Sequence, residues 1–194
     1  RARAALSGWA GGLVRTWPLT PGFRRRWHLR KLPAGPLRDY LARPFPDPRT
    51  DYRQVDYLAV DLETTGLNPK QDSILSFGYV TLHGNCIDLA TARHRLVLTD
   101  RAIPEATAVI HQILDDEAAT GEPLHEVLTE FLQELTGKVM IAHHSYIEET
   151  FIDLACKRYL GGPLVVPIVD TQAVALRNFH QRQTPFKGSD LRLH

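Results

Sequence analysis

At 194 residues, 43% of them hydrophobic, the chain is long enough to bury the core of one globular domain and too apolar for disorder. No run approaches 18 apolar residues, which excludes a membrane-spanning helix, and two distant cysteines, Cys86 and Cys156, argue against a disulfide-stapled secreted fold and for reduced thiols in a cytoplasmic protein. A net charge of +1 hides a split: residues 1–50 hold 11 of the 23 Arg and Lys but only 2 of the 22 Asp and Glu, Asp39 and Asp47.

That first segment also holds all three tryptophans, Trp9, Trp17 and Trp27. It reads as a basic, Trp- and Arg-rich extension (residues 1–50), suited to phosphate backbones, a membrane surface or docking on another protein. Its apolar stretch Ala4 to Val14 is broken by three glycines and makes a poor signal core. Prolines 33, 36, 44, 46 and 48 predict a linker or extended strap over about 33–54. The remaining residues, 51–194, form the second predicted unit.

From residue 55 strands and helices alternate. Val55–Leu62 is a compact apolar and β-branched run suited to a buried strand. Ser73–Leu82 and Asn85–Leu98 read as two more strands, joined by a hairpin turn at His83-Gly84-Asn85. Pro104–Leu114 predicts a short helix. Leu124, Val127, Leu128, Phe131, Leu132 and Leu135 recur at helical spacing and mark an amphipathic helix. Lys138–Ala142 is a short buried strand, followed by a helix with Ile147, Phe151, Leu154 and Ala155 on one face. Pro163–Val169 predicts a fifth strand and Thr171–Asn178 a helix. The pattern is that of an α/β domain with a mixed sheet.

The chemistry concentrates in Val60-Asp61-Leu62-Glu63-Thr64-Thr65-Gly66. Strand side chains alternate, so Asp61 and Glu63 point to one side, with roughly 6–7 Å between their backbone positions. Two carboxylates on one face of a buried strand repel each other and resist desolvation. A hard divalent cation such as Mg²⁺ or Mn²⁺ relieves both. Acids there could simply end the strand's burial, but these follow Tyr57-Leu58-Ala59-Val60 directly and lead into T-T-G, where backbone can approach a phosphate or nucleotide.

Asp-Leu-Glu-Thr-Thr-Gly at the end of a first strand resembles the first motif of the DEDD 3′–5′ exonucleases, above all the proofreading epsilon subunits of bacterial DNA polymerase III and their free-standing homologues. The resemblance covers about residues 55–194. It implies a ribonuclease-H-like fold, with a mixed five-stranded sheet and helices on both faces, and two divalent ions, Mg²⁺ or Mn²⁺, acting on a phosphodiester. Ala108-Val109-Ile110-His111-Gln112-Ile113 resembles the family's I-H-G-I turn, with Gln112 in place of glycine.

Ile141-Ala142-His143-His144-Ser145-Tyr146-Ile147-Glu148-Glu149-Thr150-Phe151 resembles the second motif, A-H-N-x-x-F-D followed by a phenylalanine. His143 matches, His144 replaces Asn, Ile147 replaces Phe, and Glu148 stands where an aspartate ligand is usual. Ser145-x-x-Glu148 is also a capping box. The adjacent histidines invite a zinc reading that no Cys/His spacing supports. Val169-Asp170-Thr171 resembles a family D-T whose acid supports the site without binding metal.

The resemblance therefore implies metal ligation and catalysis by Asp61, Glu63 and Glu148, and nucleotide contacts from Leu62, Thr64, Thr65, Gly66, His111 and His143. It implies hydrolysis of single-stranded DNA or DNA 3′ ends to nucleoside 5′-monophosphates, in proofreading or repair, beside a DNA polymerase or repair complex. The alternatives are an RNA-trimming exonuclease of the oligoribonuclease or ribonuclease T type, and a catalytically silent nucleic-acid-binding subunit. The family's third motif, a histidine or tyrosine with a later aspartate, does not occur before His194, so the domain is expected to be C-terminally incomplete.

Overall fold

The computed structural model describes residues 20–98, 121–183, 187 and 191. Helix α1 (Pro21–Leu29) and helix α2 (Pro36–Ala42) precede a 3₁₀ turn at Tyr52–Gln54. Strands β1 (Asp56–Thr64), β2 (Ile74–His83) and β3 (Cys86–Leu96) follow. Helix α3 (Leu124–Leu135), strand β4 (Val139–Ala142), helix α4 (Tyr146–Tyr159), strand β5 (Ile168–Asp170) and helix α5 (Thr171–Arg182) complete the chain order. The five strands form one mixed sheet in the order β3-β2-β1-β4-β5. β1–β2 and β2–β3 are antiparallel, and β1–β4 and β4–β5 are parallel.

The register gives the sheet two unlike faces. Leu58, Val60 and Leu62 of β1, Phe77 and Tyr79 of β2 and Met140 of β4 belong to the main core. Against them lie Val127, Leu128, Phe131, Leu132 and Leu135 of α3, with Phe131 5.4 Å from the Phe77 ring and 5.9 Å from Tyr79. Arg95 grips Glu130 of α3 through two bonds of 2.8 Å, and the Tyr79 hydroxyl donates to the same carboxylate at 3.0 Å. The other face holds a smaller cluster of Val55, Tyr57 and Val139, flanked by Leu82, Ile141 and Val169. By alternation from Tyr57, Asp61 and Glu63 lie on this second face, beyond the cluster.

Three expectations need correction. The predicted linker over 33–54 contains α2, whose Leu37, Tyr40 and Leu41 are buried in the main core, and the Tyr40 hydroxyl donates to the Val165 carbonyl at 3.2 Å. The prolines mislead because Pro36 sits in the first helical turn, where a missing N–H costs nothing. The fifth strand is only Ile168–Asp170, since Pro163 and Pro167 cannot donate to the ladder and Leu164 and Val165 turn into the core instead. On α4 the expected face of Ile147, Phe151, Leu154 and Ala155 is right in part: Phe151 and Ala155 are buried and Ile147 packs against the core, but Glu148, Ile152 and Cys156 are the other buried positions and Leu154 is only half-buried. An acid occupies a core-facing position, which a stripe drawn through apolar residues alone leaves out.

Cys156 packs in the core, where burial pushes its thiol up to about 12, whereas Cys86 is exposed at the start of β3; both are unpaired. Among the described residues no helix is long and apolar enough to cross a membrane.

Candidate active site

The site forms where the end of β1 meets the start of α4. Asp61 is exposed and pairs across the sheet with Gly78, whose lack of a side chain leaves its flank clear. Glu63 is half-buried one pleat further along, opposite Ser76, just before a bulge between Glu63 and Thr64. Leu62 points the other way and is 7% exposed in the main core.

Glu148 is the unusual group. It is 4% exposed, on the core-facing side of α4, and its Oε2 has no hydrogen-bond partner. Burial pushes its carboxyl up to about 7; its own amide opposes this, the Asp61 charge adds to it, His144 opposes it, and Asp170 adds to it. A buried carboxyl with an orphaned oxygen, within the field of a second carboxylate, is a site of stored electrostatic cost.

The T-T-G segment is held from within. The Thr64 hydroxyl donates to the Gly66 carbonyl at 2.7 Å. The Thr65 hydroxyl donates to Asp72 Oδ1 at 3.3 Å and accepts from the Ser73 amide at 2.9 Å. Asp72 Oδ2 accepts from the Asn68 amide at 2.8 Å. A Cβ on Gly66 would lie 2.6 Å from Asp72 Oδ2, so the glycine makes room for the carboxylate that braces the loop. Asp72 has no counterpart among the sequence-predicted residues; it sits in a polar turn, Asn68-Pro69-Lys70-Gln71-Asp72, that reads only as a loop.

Asp170 organises the opposite wall. Its Oδ1 caps α5 by accepting from the Gln172 and Ala173 amides at 2.9 and 3.3 Å, and accepts from the His144 amide at 3.1 Å. Its Oδ2 accepts from the Ser145 amide and hydroxyl at 3.2 and 3.3 Å. Ser145 thereby gives its hydroxyl to Asp170 and makes no cap bond to α4, so the predicted capping box does not form. His144 sits at φ 60°, a left-handed conformation that His and Asn tolerate better than most residues. Its Nδ1 lies 2.8 Å from Gln172 Oε1.

His143 is fully engaged: Nε2 donates to the Leu191 carbonyl at 2.6 Å and Nδ1 lies 2.9 Å from the Thr171 hydroxyl. His111 and its predicted helix lie outside the described residues. Among the described residues no three His, Cys, Asp or Glu side chains converge as a metal cage, so Asp61, Glu63 and Glu148 do not form a closed triad. Asp61 and Glu148 are linked electrostatically: the Asp61 charge helps to raise the Glu148 carboxyl. One or two carboxylates are what Mg²⁺ takes from a protein when substrate phosphates supply further oxygens, and the orphaned Oε2 fits that role.

Similarity to known proteins concentrates on the same region. The family model described as "Exonuclease" (RNase_T) matches residues 58–185, which spans the sheet and both walls of the site. The chain is 31% identical over 124 residues to DNA polymerase III subunit epsilon of Treponema pallidum, covering 64% of this chain and 57% of that protein. It is 30% identical over 119 residues to the PolC-type DNA polymerase III of Thermotoga maritima, covering 61% of this chain and 9% of that protein. The fold is similar to that of E. coli exonuclease I in complex with a dT13 oligonucleotide, with TM-score 0.60 and 15% identity over 69% of this chain and 32% of that one. The chain thus spans less than two thirds of each of these relatives. With a family model matched across the whole sheet and both carboxylate motifs, the chain belongs to the RNase_T exonuclease family.

Proposed function

We propose that the domain hydrolyses the 3′-terminal phosphodiester of single-stranded DNA, with Asp61 and Glu148 as the principal metal-holding carboxylates and Glu63 completing the set as the site loads. The observation that carries this reading is the Glu148 carboxyl, buried within the field of Asp61 and with Oε2 unpartnered. A structural acid would be paired with Lys or Arg or turned to water, and what raises this one is burial and neighbouring acids. Held by these carboxylates, Mg²⁺ or Mn²⁺ would supply Lewis-acid polarisation of the phosphoryl oxygens and would lower the pKa of a bound water.

The chain's own residues do the positioning. Asp170 fixes the His144–Ser145 turn and, through it, the first turn of α4 that carries Glu148. Asp72 holds Thr65 and Gly66 in a compact turn after β1, so that backbone groups beside Asp61 can face the terminal nucleotide. His143, clamped at both ring nitrogens, acts as a rigid wall and not as a mobile base. DNA is favoured over RNA because the relatives at about 30% identity are DNA polymerase III proteins.

The test is release of nucleoside 5′-monophosphates from a 3′-labelled single strand in Mg²⁺ or Mn²⁺, with matched RNA in parallel, by the chain in its full-length context. Asp61→Ala is expected to lower the rate by at least about a hundredfold, as loss of a group stabilising transition-state charge does. Near-parental activity of Asp61→Ala refutes the site. Faster cleavage of RNA than of DNA refutes the substrate.

A further inference from the structure

Outside the carboxylate site, the most organised surface is the solvent side of α1. Phe23, Arg26, Trp27, Arg30 and Lys31 are all exposed, Phe23 at 43% and Trp27 at 47%. Spacings of three and four residues set them in one row along the helix and the turn just beyond it. The helix contains no acid and buries none of its residues fully. The Arg24-Arg25-Arg26 run is divided in purpose. Arg25 faces the protein and donates to the carbonyls of Leu41, Ala42 and Arg43 at the end of α2, at 2.6, 3.4 and 3.3 Å. Arg38 returns the contact, donating to the Leu29 and Leu32 carbonyls at 3.0 and 2.9 Å. α1 is thus pinned by two arginines in a fixed orientation, and the row is presented outward.

The row is also pre-shaped. Lys31 Nζ lies 3.7 Å from the centroid of the Trp27 ring, and the His28 ring meets it edge-on at 4.6 Å. His28 sits in a positive field: its pKa is lowered by burial first, then by Arg24 and Lys31, with Asp153 opposing and Lys157 adding. Those last two residues belong to the second half of α4, so His28 lies within the field of that end of the helix.

Charges in a row with aromatic planes between them fit one kind of polymer. Phosphates of a single strand meet the cations, and unpaired bases stack on Phe23 and Trp27 whatever their sequence. Duplex DNA hides its bases from such stacking. A membrane-bound helix needs a continuous apolar face opposite its charges, whereas here the two rings stand among three cations on the same side. We propose that this face of α1 binds single-stranded DNA, holding the part of the strand 5′ to the nucleotide being removed; the destination of the 3′ end rests on the active-site reading above.

The experiment measures binding of fluorescent dT20 by anisotropy, in EDTA so that nothing is cleaved, over a salt series. Arg26→Gln, Arg30→Gln and Lys31→Gln together should weaken binding at least about tenfold and flatten the slope of log K against log salt by about 2, for three lost phosphate contacts. Trp27→Ala should weaken it about tenfold, and Trp27→Phe should restore most of that loss because a stacking plane returns. With metal present, the triple variant should degrade dT20 more slowly and dT3 at the parental rate. Parental affinity and slope in a normally melting triple variant overturn the proposal, as does equal loss on dT3 and dT20. So does loss of binding to phosphatidylserine vesicles with dT20 binding intact. Because the binding arm needs no catalysis, a failed Asp61→Ala rate test leaves it standing, and a failed binding arm leaves the active-site reading standing.

Discussion

Glu148 sets the cost of the site at the level of one carboxyl. Its folded-state pKa, about 7, lies above the ordinary value of 4.5. Below pH 4.5 both folded and unfolded chains hold the proton and the group is neutral to stability. Between 4.5 and 7 the folded state keeps a proton that the unfolded state has shed, so stability falls as pH rises; above about 7 the whole penalty is present. Its size is on the order of 3 kcal/mol at most. Glu148→Gln, without metal, should therefore melt above the parent at pH 8 and converge with it near pH 4. Adding Mg²⁺ or Mn²⁺ should raise the parental Tm, more at pH 8 than at pH 6, and leave Glu148→Gln nearly unmoved. Gly66 makes a second residue-scale case. Gly66→Ala must displace the Asp72 carboxylate from its bonds to Thr65 and Asn68, costing about 1–3 kcal/mol. In an Asp72→Ala background the same change should cost at least about 1 kcal/mol less, measured by urea unfolding as a double-mutant cycle.

At the scale of elements, what was readable in the chain followed periodicity. The apolar runs of β1 to β3 with their hairpin turn and the α3 stripe from Leu124 to Leu135 were legible, and both appear in the sheet and its covering helix. On α4 spacing found Phe151 and Ala155 but missed Glu148, because hydrophobic periodicity has no means of placing an acid at a core position. Asp72 and the left-handed His144 were invisible because their roles depend on contacts four to 28 residues distant. α2 was obscured by proline content, yet Leu37, Tyr40 and Leu41 are as buried as any strand residue. Leu41→Ala should accordingly cost about 2–5 kcal/mol in chemical denaturation, the figure for a cavity in a packed core. A loss under 0.5 kcal/mol would mean that this segment is a tether after all.

Across the whole molecule, the sheet separates two tasks. One face packs α2, α3 and α4 into a dense core and fixes the strands, while Asp61 and Glu63 lie by alternation at the end of the other face. On the two proposals above, the acids would serve the cations and the reacting phosphate, and the basic row on α1 the strand behind it. The site that defines the chemistry can be seen directly. Crystals grown with Mn²⁺ and a short oligonucleotide, measured at a wavelength where manganese scatters anomalously, should show a peak in contact with both Asp61 and Glu148 Oε2. A map with no manganese between those carboxylates, or with Oε2 bonded instead to a protein donor, would contradict the account.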